Sequence, residues 1–196
     1  MKSVPVSTKS VQSSRCMNEI LIETNRLLLR RFTPADGADF AEILTNPEVC
    51  YFEPYQPFTY ENALAEAEKL SHDESFFAVV LKDSGKFIGK LYLHDENFFG
   101  TYELGYAFNQ QYWGKGYATE SAKVLMHYAF TKMNVRRIFA EADVQNVRSC
   151  RVLERLGMRK EGTFLQSASF RSSPDGMPIY SDYCSYAILR SEYLGN

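Results

Sequence analysis

The residues with the clearest chemical content stand together in Gln111-Tyr112-Trp113-Gly114-Lys115-Gly116-Tyr117-Ala118. Two glycines at this spacing let a backbone turn tightly and approach a ligand closely. The residues after Gly116 read as the first turn of a helix, whose leading N–H groups have no partner within the helix and point outward. Together with the helix dipole they make an anion site suited to a pyrophosphate. A P-loop would need a Ser or Thr after its lysine, and Lys115 is followed by Gly116. The dinucleotide pattern G-x-G-x-x-G has Thr119 at its third glycine, and the chain lacks the succession of parallel β-α-β units that this pattern serves. A connector that binds nothing is the competing reading of a lone glycine pair. Other chemistries find no footing. His72, His94 and His127 show no metal-ligand spacing, so no metal is expected. There is no G-x-S-x-G turn, and Cys150 lacks a partnered histidine and reads as a buried thiol.

The turn is useful only if its flanks are a strand and a helix. Before it, Thr101 to Phe108 alternates: Tyr102, Leu104, Tyr106 and Phe108 share one face, and Glu103, Gly105 and Ala107 the other. After it, Ala118, Ala122, Leu125, Met126 and Ala129 fall on one helical face. Upstream, Leu27 to Phe32 reads as a first strand. Thr33-Pro34 starts a helix through Phe40, Ile43 and Leu44, and Asn46-Pro47 stops it. Tyr51 to Phe58 is an aromatic, proline-broken loop, and Thr59 caps a helix carrying Ala63, Leu64, Ala67 and Leu70. Phe76 to Leu81 and Lys86 to Leu93 are strands about a turn at Lys82 to Gly85. Downstream, Arg137 to Ala142 is a strand, and Asn146 to Leu156 a helix stopped by Gly157. Strands follow around Thr163 to Phe170 and Ile179 to Leu189, with Pro174-Asp175-Gly176 in the turn between them.

Gln111-x-x-Gly114-x-Gly116 resembles the coenzyme A pyrophosphate loop of the GNAT acetyltransferase superfamily. Further matches follow in order. Glu23-Thr24-Asn25-Arg26-Leu27-Leu28-Leu29-Arg30, Glu103-Leu104-Gly105-Tyr106, Asn146-x-x-Ser149 with Leu153-Glu154-Arg155-Leu156-Gly157-Met158, and Asp175-Gly176, Tyr180, Asp182 and Tyr186 resemble the branch that contains the bacterial ribosomal-protein N-terminal acetyltransferases. The resemblance implies one α/β (α+β) domain over residues 20–196, with a mixed, mostly antiparallel twisted sheet of about seven strands and about four helices. It implies an acetyl-CoA-dependent N-acetyltransferase that lets an amine attack the thioester directly in a ternary complex. The leading acceptor is a protein N-terminal α-amine. The alternatives are a small amine (polyamine, amino acid or aminoglycoside-like) and a non-catalytic acyl-CoA-binding module.

Such a transfer needs a base for the amine, a donor to the oxyanion and a proton for the thiolate. Glu103 is the candidate base. It shares its face with small Gly105 and Ala107, which would leave a groove for the pantetheine arm; an ordinary sheet carboxylate is the equal alternative. Glu141 on the neighbouring strand is the weaker candidate. The resemblance assigns Ser149 as acid, where a residue in the first turn of a capped helix is the alternative. It implies that the thioester carbonyl bonds a backbone N–H near Tyr106 or Ala107, with Phe108 beside them. Gln111, Gly114, Lys115, Gly116, Tyr117, Ala118 and Asn146 complete the expected coenzyme site. Lys115, Lys123 and Arg148 are candidate phosphate contacts. Tyr51, Phe52 and Tyr55, with Phe58, are candidate acceptor walls, and Trp113 reads as an anchor of the turn. The branch places a glutamate on the strand after the Asn146 helix, and this chain has Gln166, Ser167, Ala168 and Ser169 there.

The bulk numbers agree. The 196 residues suit one domain, and 22 Lys+Arg against 24 Asp+Glu argue against a general nucleic-acid partner. No segment approaches the roughly 18 consecutive apolar residues of a membrane span. Cys16, Cys50, Cys150 and Cys184 form no CxxC pair and read as free thiols of a cytoplasmic protein. Residues 1–19, rich in Ser, Thr and Lys, read as a disordered tail without a secretory leader. A homodimer is an expectation from the branch alone.

Overall fold

The computed structural model describes residues 20–195; the expected tail and Cys16 lie outside the described residues. Ile20–Glu23 (β1) pairs antiparallel with Leu27–Arg30 (β2), so the strand read as the first is the second. Thr24 closes the turn between them, its N–H donating to the Leu27 carbonyl at 2.9 Å. A 3-10 turn at Pro34–Asp36 leads into Gly37–Leu44 (α1). Asn46 ends this helix and also starts another, Pro47–Cys50 (α2), by accepting from the Glu48 N–H at 2.9 Å. Thr59 caps Tyr60–Leu70 (α3), its hydroxyl accepting from the Asn62 N–H at 3.2 Å.

Phe76–Leu81 (β3), Phe87–Phe98 (β4) and Thr101–Phe108 (β5) form an antiparallel meander. Tyr117–Lys132 (α4) then crosses to Arg137–Asp143 (β6), which lies parallel to β5. Val147–Arg155 (α5), Arg159–Ser172 (β7), Pro178–Leu189 (β8) and Arg190–Leu194 (α6) complete the described chain. The sheet has eight strands in the order β1-β2-β3-β4-β5-β6-β8-β7. The excess over about seven strands and four helices is the short β1, α2 and α6, whose few residues carry no readable period.

Each sheet face buries its own core. Ala122, Leu125, Met126, Ala129 and Phe130 of α4 cover Leu27, Val79, Leu91, Leu104 and Ile138 on one face. Phe40, Ile43 and Leu44 of α1 and Ala63, Ala67 and Leu70 of α3 cover Ala78, Val80, Phe87 and Ala107 on the other. β3 is apolar throughout because it lies between the two layers. Phe32, Phe40 and Phe87 pack edge to face at centroid distances of 5.4–5.7 Å. No helix among the described residues is long and apolar enough to cross a membrane.

The sheet is not continuous across its middle. β5 and β6 pair only through Thr101, Tyr102 and Glu103 against Arg137, Ile138 and Phe139. Beyond Glu103, β5 is bonded to β4 and β6 to β8, and the two strands part. A cleft of about 1100 Å³ occupies the wedge between them.

Candidate active site

The glycine turn stands at the mouth of this wedge. Gly114 and Gly116 have φ of 74° and 82°, the left-handed region that a side chain strains. Gly116 is the residue before α4, so the unpaired N–H groups of Tyr117 and Ala118 open onto the cleft, which both residues line. The turn is held from outside. Trp113 donates from Nε1 to the Phe108 carbonyl at 2.8 Å, and Asn109 accepts from the Gln111 N–H at 3.0 Å. Arg26 donates to the Lys115 carbonyl at 3.1 Å, lies over the Tyr117 ring at 4.4 Å and pairs with Glu120. Thr24 donates to the same Glu120 at 2.6 Å. Burial acts to raise the Glu120 carboxyl, but the bonds from Thr24 and Arg26 hold it below the usual glutamate range. The Thr24-Asn25-Arg26 segment therefore buttresses the turn.

Both faces of β5 contribute to the cleft, which passes through the sheet where β6 has left its side. On one face Tyr106 extends its hydroxyl to Ser149 Oγ at 2.9 Å. Asn146 caps α5 by accepting from the Ser149 N–H at 3.2 Å, so the capping role is realised and leaves the Ser149 hydroxyl to Tyr106. Burial pushes the Tyr106 hydroxyl up, against the bond to Ser149, so it stays a proton carrier. On the other face Glu103 accepts from the Tyr92 hydroxyl at 3.1 Å. Burial raises the Glu103 carboxyl, Tyr92 opposes the shift, and Glu96 and Glu141 add to it. The space over Gly105 is not an open groove: an added Cβ there would lie 2.0 Å from the Tyr92 ring. Gly105 is needed so that Tyr92 can lie across the strand and reach Glu103.

Of the remaining expected residues, Gly114, Gly116, Tyr117, Ala118, Tyr106, Ala107, Phe108, Asn146, Arg148, Glu141, Tyr51 and Phe52 line the cleft. Gln111, Lys115, Tyr55 and Lys123 do not. Lys115 folds over the Tyr112 ring at 5.1 Å, and Lys123 stands with His127 in a separate shallow depression. Arg148 stacks on Trp113 at 4.7 Å, and Arg151 and Arg155 stand beside it on α5. The three arginines give the α5 side a positive wall, and the residues present fit a pyrophosphate-bearing ligand. The opposite end is acidic, lined by Glu48, Glu53, Glu103 and Glu141, whereas Asp143 lies at the end of β6, just before α5, accepting from the Gln145 N–H at 2.8 Å and standing 3.8 Å from Arg171.

Among the lining residues that escaped the sequence reading are Glu48, Glu53, Lys90, Tyr92, Asp143 and Arg151. Lys90 is a single charge in the apolar run of β4, which is a signal, but its role depends on register. Lys90 and Tyr92 face the same side as Ala107 and Gly105, their partners across the strand pair. Loop residues 51–58 are tied over this end. Gln56 donates to the Phe170 carbonyl at 3.1 Å, and Arg171 lies over the Tyr51 ring at 4.2 Å. Bulges in β7 around Gln166, whose φ is 50°, bring Phe170 and Arg171 there. The thiols take no part. Burial and neighbouring Cys184 push Cys150 up to about 11, and burial pushes Cys50 up to about 11. The Cys150 and Cys184 sulfurs are 3.8 Å apart, a contact that sequence spacing does not reveal.

Residues 26–159 match the family model described as an acetyltransferase (GNAT) domain. The chain is 37% identical over 175 residues to the uncharacterized N-acetyltransferase YnaD of Bacillus subtilis (strain 168), covering 88% of this chain and 98% of that protein. The crystal structure of a GNAT-family acetyltransferase from Bacillus anthracis superposes with a TM-score of 0.79 at 33% identity, covering 87% of this chain and 99% of that one. A spermidine N(1)-acetyltransferase of Escherichia coli (strain K12) is 30% identical over 114 residues, 58% of this chain and 60% of that protein.

Proposed function

Since the chain belongs to the GNAT acetyltransferase family and transfers acetyl groups from acetyl-CoA to amines, we propose that its acceptor is a small primary amine which enters the acidic end of the cleft. The observation that carries this reading is the roofed acceptor end. Tyr51, Phe52, Glu53 and Pro54 cover it, and Gln56 and Arg171 tie that loop to β7. A protein N-terminus needs an open approach for the residues behind its first amine, and a loop fixed along this end narrows that approach. The carboxylates at this end favour an ammonium. The partial likeness to a spermidine acetyltransferase is in line with a small amine.

Acetyl-CoA supplies the thioester. Gly114, Gly116, the N-terminus of α4 and the α5 arginines hold its phosphates. The part of β5 beyond Glu103 has no partner on the β6 side, which leaves backbone groups near Tyr106 and Ala107 to meet the thioester carbonyl. Glu103 accepts the proton of the attacking amine, through Tyr92-ordered geometry on the acceptor face. The hydrogen-bonded Tyr106 and Ser149 hydroxyls stand on the opposite face, where the sulfur leaves, and return a proton to it.

The test is thiol release from acetyl-CoA with equal concentrations of polyamines, amino acids, amino sugars and short peptides. Turnover with small amines at least about tenfold above any peptide supports the reading, a margin of about 1.4 kcal/mol in transition-state binding. Peptides outrunning every small amine would restore the N-terminal α-amine. Tight acetyl-CoA binding with no acceptor consumed would favour the non-catalytic binding module.

A further inference from the structure

Lys90 is the most unusual charge in the cleft wall. It is 9% exposed, on the middle strand of the sheet, and its ammonium lies over the rings of Phe40, Tyr55 and Phe76 at 5.9, 5.4 and 5.8 Å. It makes no salt bridge or hydrogen bond within the described residues. Its nearest acids do not commit to it. Glu66 is taken by Lys69 at 3.0 Å. Glu53 faces the same cleft without a salt bridge to Lys90; burial raises its carboxyl, and Lys90 and Tyr55 oppose that shift. Burial in turn lowers the Lys90 ammonium despite the attraction of Glu53. A buried cation whose only close partners are ring faces is costly unless an anion joins it.

The cation is placed to meet part of the acceptor. Lys90 and Tyr92 are two residues apart on one face of β4, about 7 Å along the strand. Tyr92 holds Glu103, where the amine is deprotonated. Glu103 lies opposite His94, four residues or about 13 Å along the strands from Lys90 and on the same face, so an acceptor whose amine sits at Glu103 brings a group at its far end to Lys90. We propose that Lys90 is a specificity-determining residue that binds an anionic group, a carboxylate in the first instance, on the acceptor itself, so that the preferred substrate is an amino acid-like zwitterion. This rests on the small-amine reading above and narrows it.

Matched acceptors separate this from a structural role for Lys90. Thiol release is measured for lysine against cadaverine, ornithine against putrescine and serine against ethanolamine, with the wild-type chain and with Lys90→Met. The expected wild-type kcat/KM favours the carboxylate-bearing member of at least one pair by about tenfold or more, the size of a charge-assisted hydrogen bond. In Lys90→Met that ratio collapses toward one, mainly through KM, while titration with acetyl-CoA shows the variant still folded and binding. A wild-type preference for the amines without the carboxylate sinks the zwitterion subsite and leaves the small-amine reading intact. So does a Lys90→Met ratio equal to that of the wild type. No release from either member of any pair sinks the zwitterion subsite, and release with the polyamines and amino sugars named above then decides the small-amine reading.

Discussion

Glu103 is held between two influences, and its behaviour with pH follows from their signs. Burial raises its carboxyl above the ordinary glutamate range, while the Tyr92 hydroxyl, by donating to the charged form, pulls it back. With Glu103 as the proposed base, the form that accepts the amine proton is the carboxylate, so kcat/KM should rise with pH through that raised value. Tyr92→Phe removes the opposing bond, and the rising limb moves to higher pH; a limb that stays in place would show that another group is the base. Glu103→Gln lowers kcat by about 10²- to 10⁴-fold. The same variant leaves acetyl-CoA affinity near the wild-type value by calorimetry, because Glu103 lies on the face away from Tyr106 and Ser149. Glu103 was legible in the sequence because it alternates with Gly105 and Ala107. Its partner was not, since Tyr92 joins it only through a register that depends on the irregular turn between Asp95 and Phe98. Lys90 and Glu53 stayed hidden for a related reason: they face one cleft from different elements.

At the scale of elements, the turn from β5 to α4 was legible almost entire. Two glycines, an alternating strand and an amphipathic helix are local signals. What was not local is the brace, in which Thr24 and Arg26 reach across from the β1–β2 hairpin to Glu120 and the Lys115 carbonyl. The short β1 went unread, and with it the reason for Thr24-Asn25-Arg26 to be where it is. The bulged path of β7 was equally invisible, because bulges at Lys160, Phe164 and Ala168 leave a run of alternating residues in sequence but not in space. Two substitutions test the turn by different routes. Gly114→Ala has open space for its Cβ but must hold φ at 74°, which costs about 1–2 kcal/mol, or roughly five- to thirtyfold in acetyl-CoA affinity if the turn relaxes away from that shape. Gly114→Asp adds a charge beside the phosphates and weakens binding further. Equal losses in the two variants at high and low salt would remove the electrostatic part of the argument. Gly105→Ala acts elsewhere. Its Cβ collides with the Tyr92 ring, so the expected result is the pH shift of Tyr92→Phe with acetyl-CoA affinity retained.

For the whole molecule, the parted sheet is the feature that makes transfer between two ligands feasible. The meander β1 to β5, with α1, α3 and α4, is joined to β6, β8 and β7 by three paired residues on each of β5 and β6 and by the core beneath α4. Past Glu103 the two halves share no backbone bonds, so one ligand can lie on the α5 side and the other on the α3 side and meet in the gap. On the proposed reading, acetyl-CoA held by the turn and by the α5 arginines would span both halves and should stiffen the molecule where the sheet is weakest. A ligand at about one hundred times its Kd adds about 2.7 kcal/mol of stability. In a domain of this size that corresponds to a rise in Tm of about 5–10 °C. The rise should vanish in Gly114→Asp. Hydrogen exchange gives the location: protection gained on binding should concentrate in residues 104–108 of β5, residues 140–143 of β6 and the first turn of α5, with β1 to β3 unchanged. Protection confined to residues 114–118 would place the phosphates on the turn but take the acyl arm out of the wedge, and the passage of the two ligands through the sheet would fail with it.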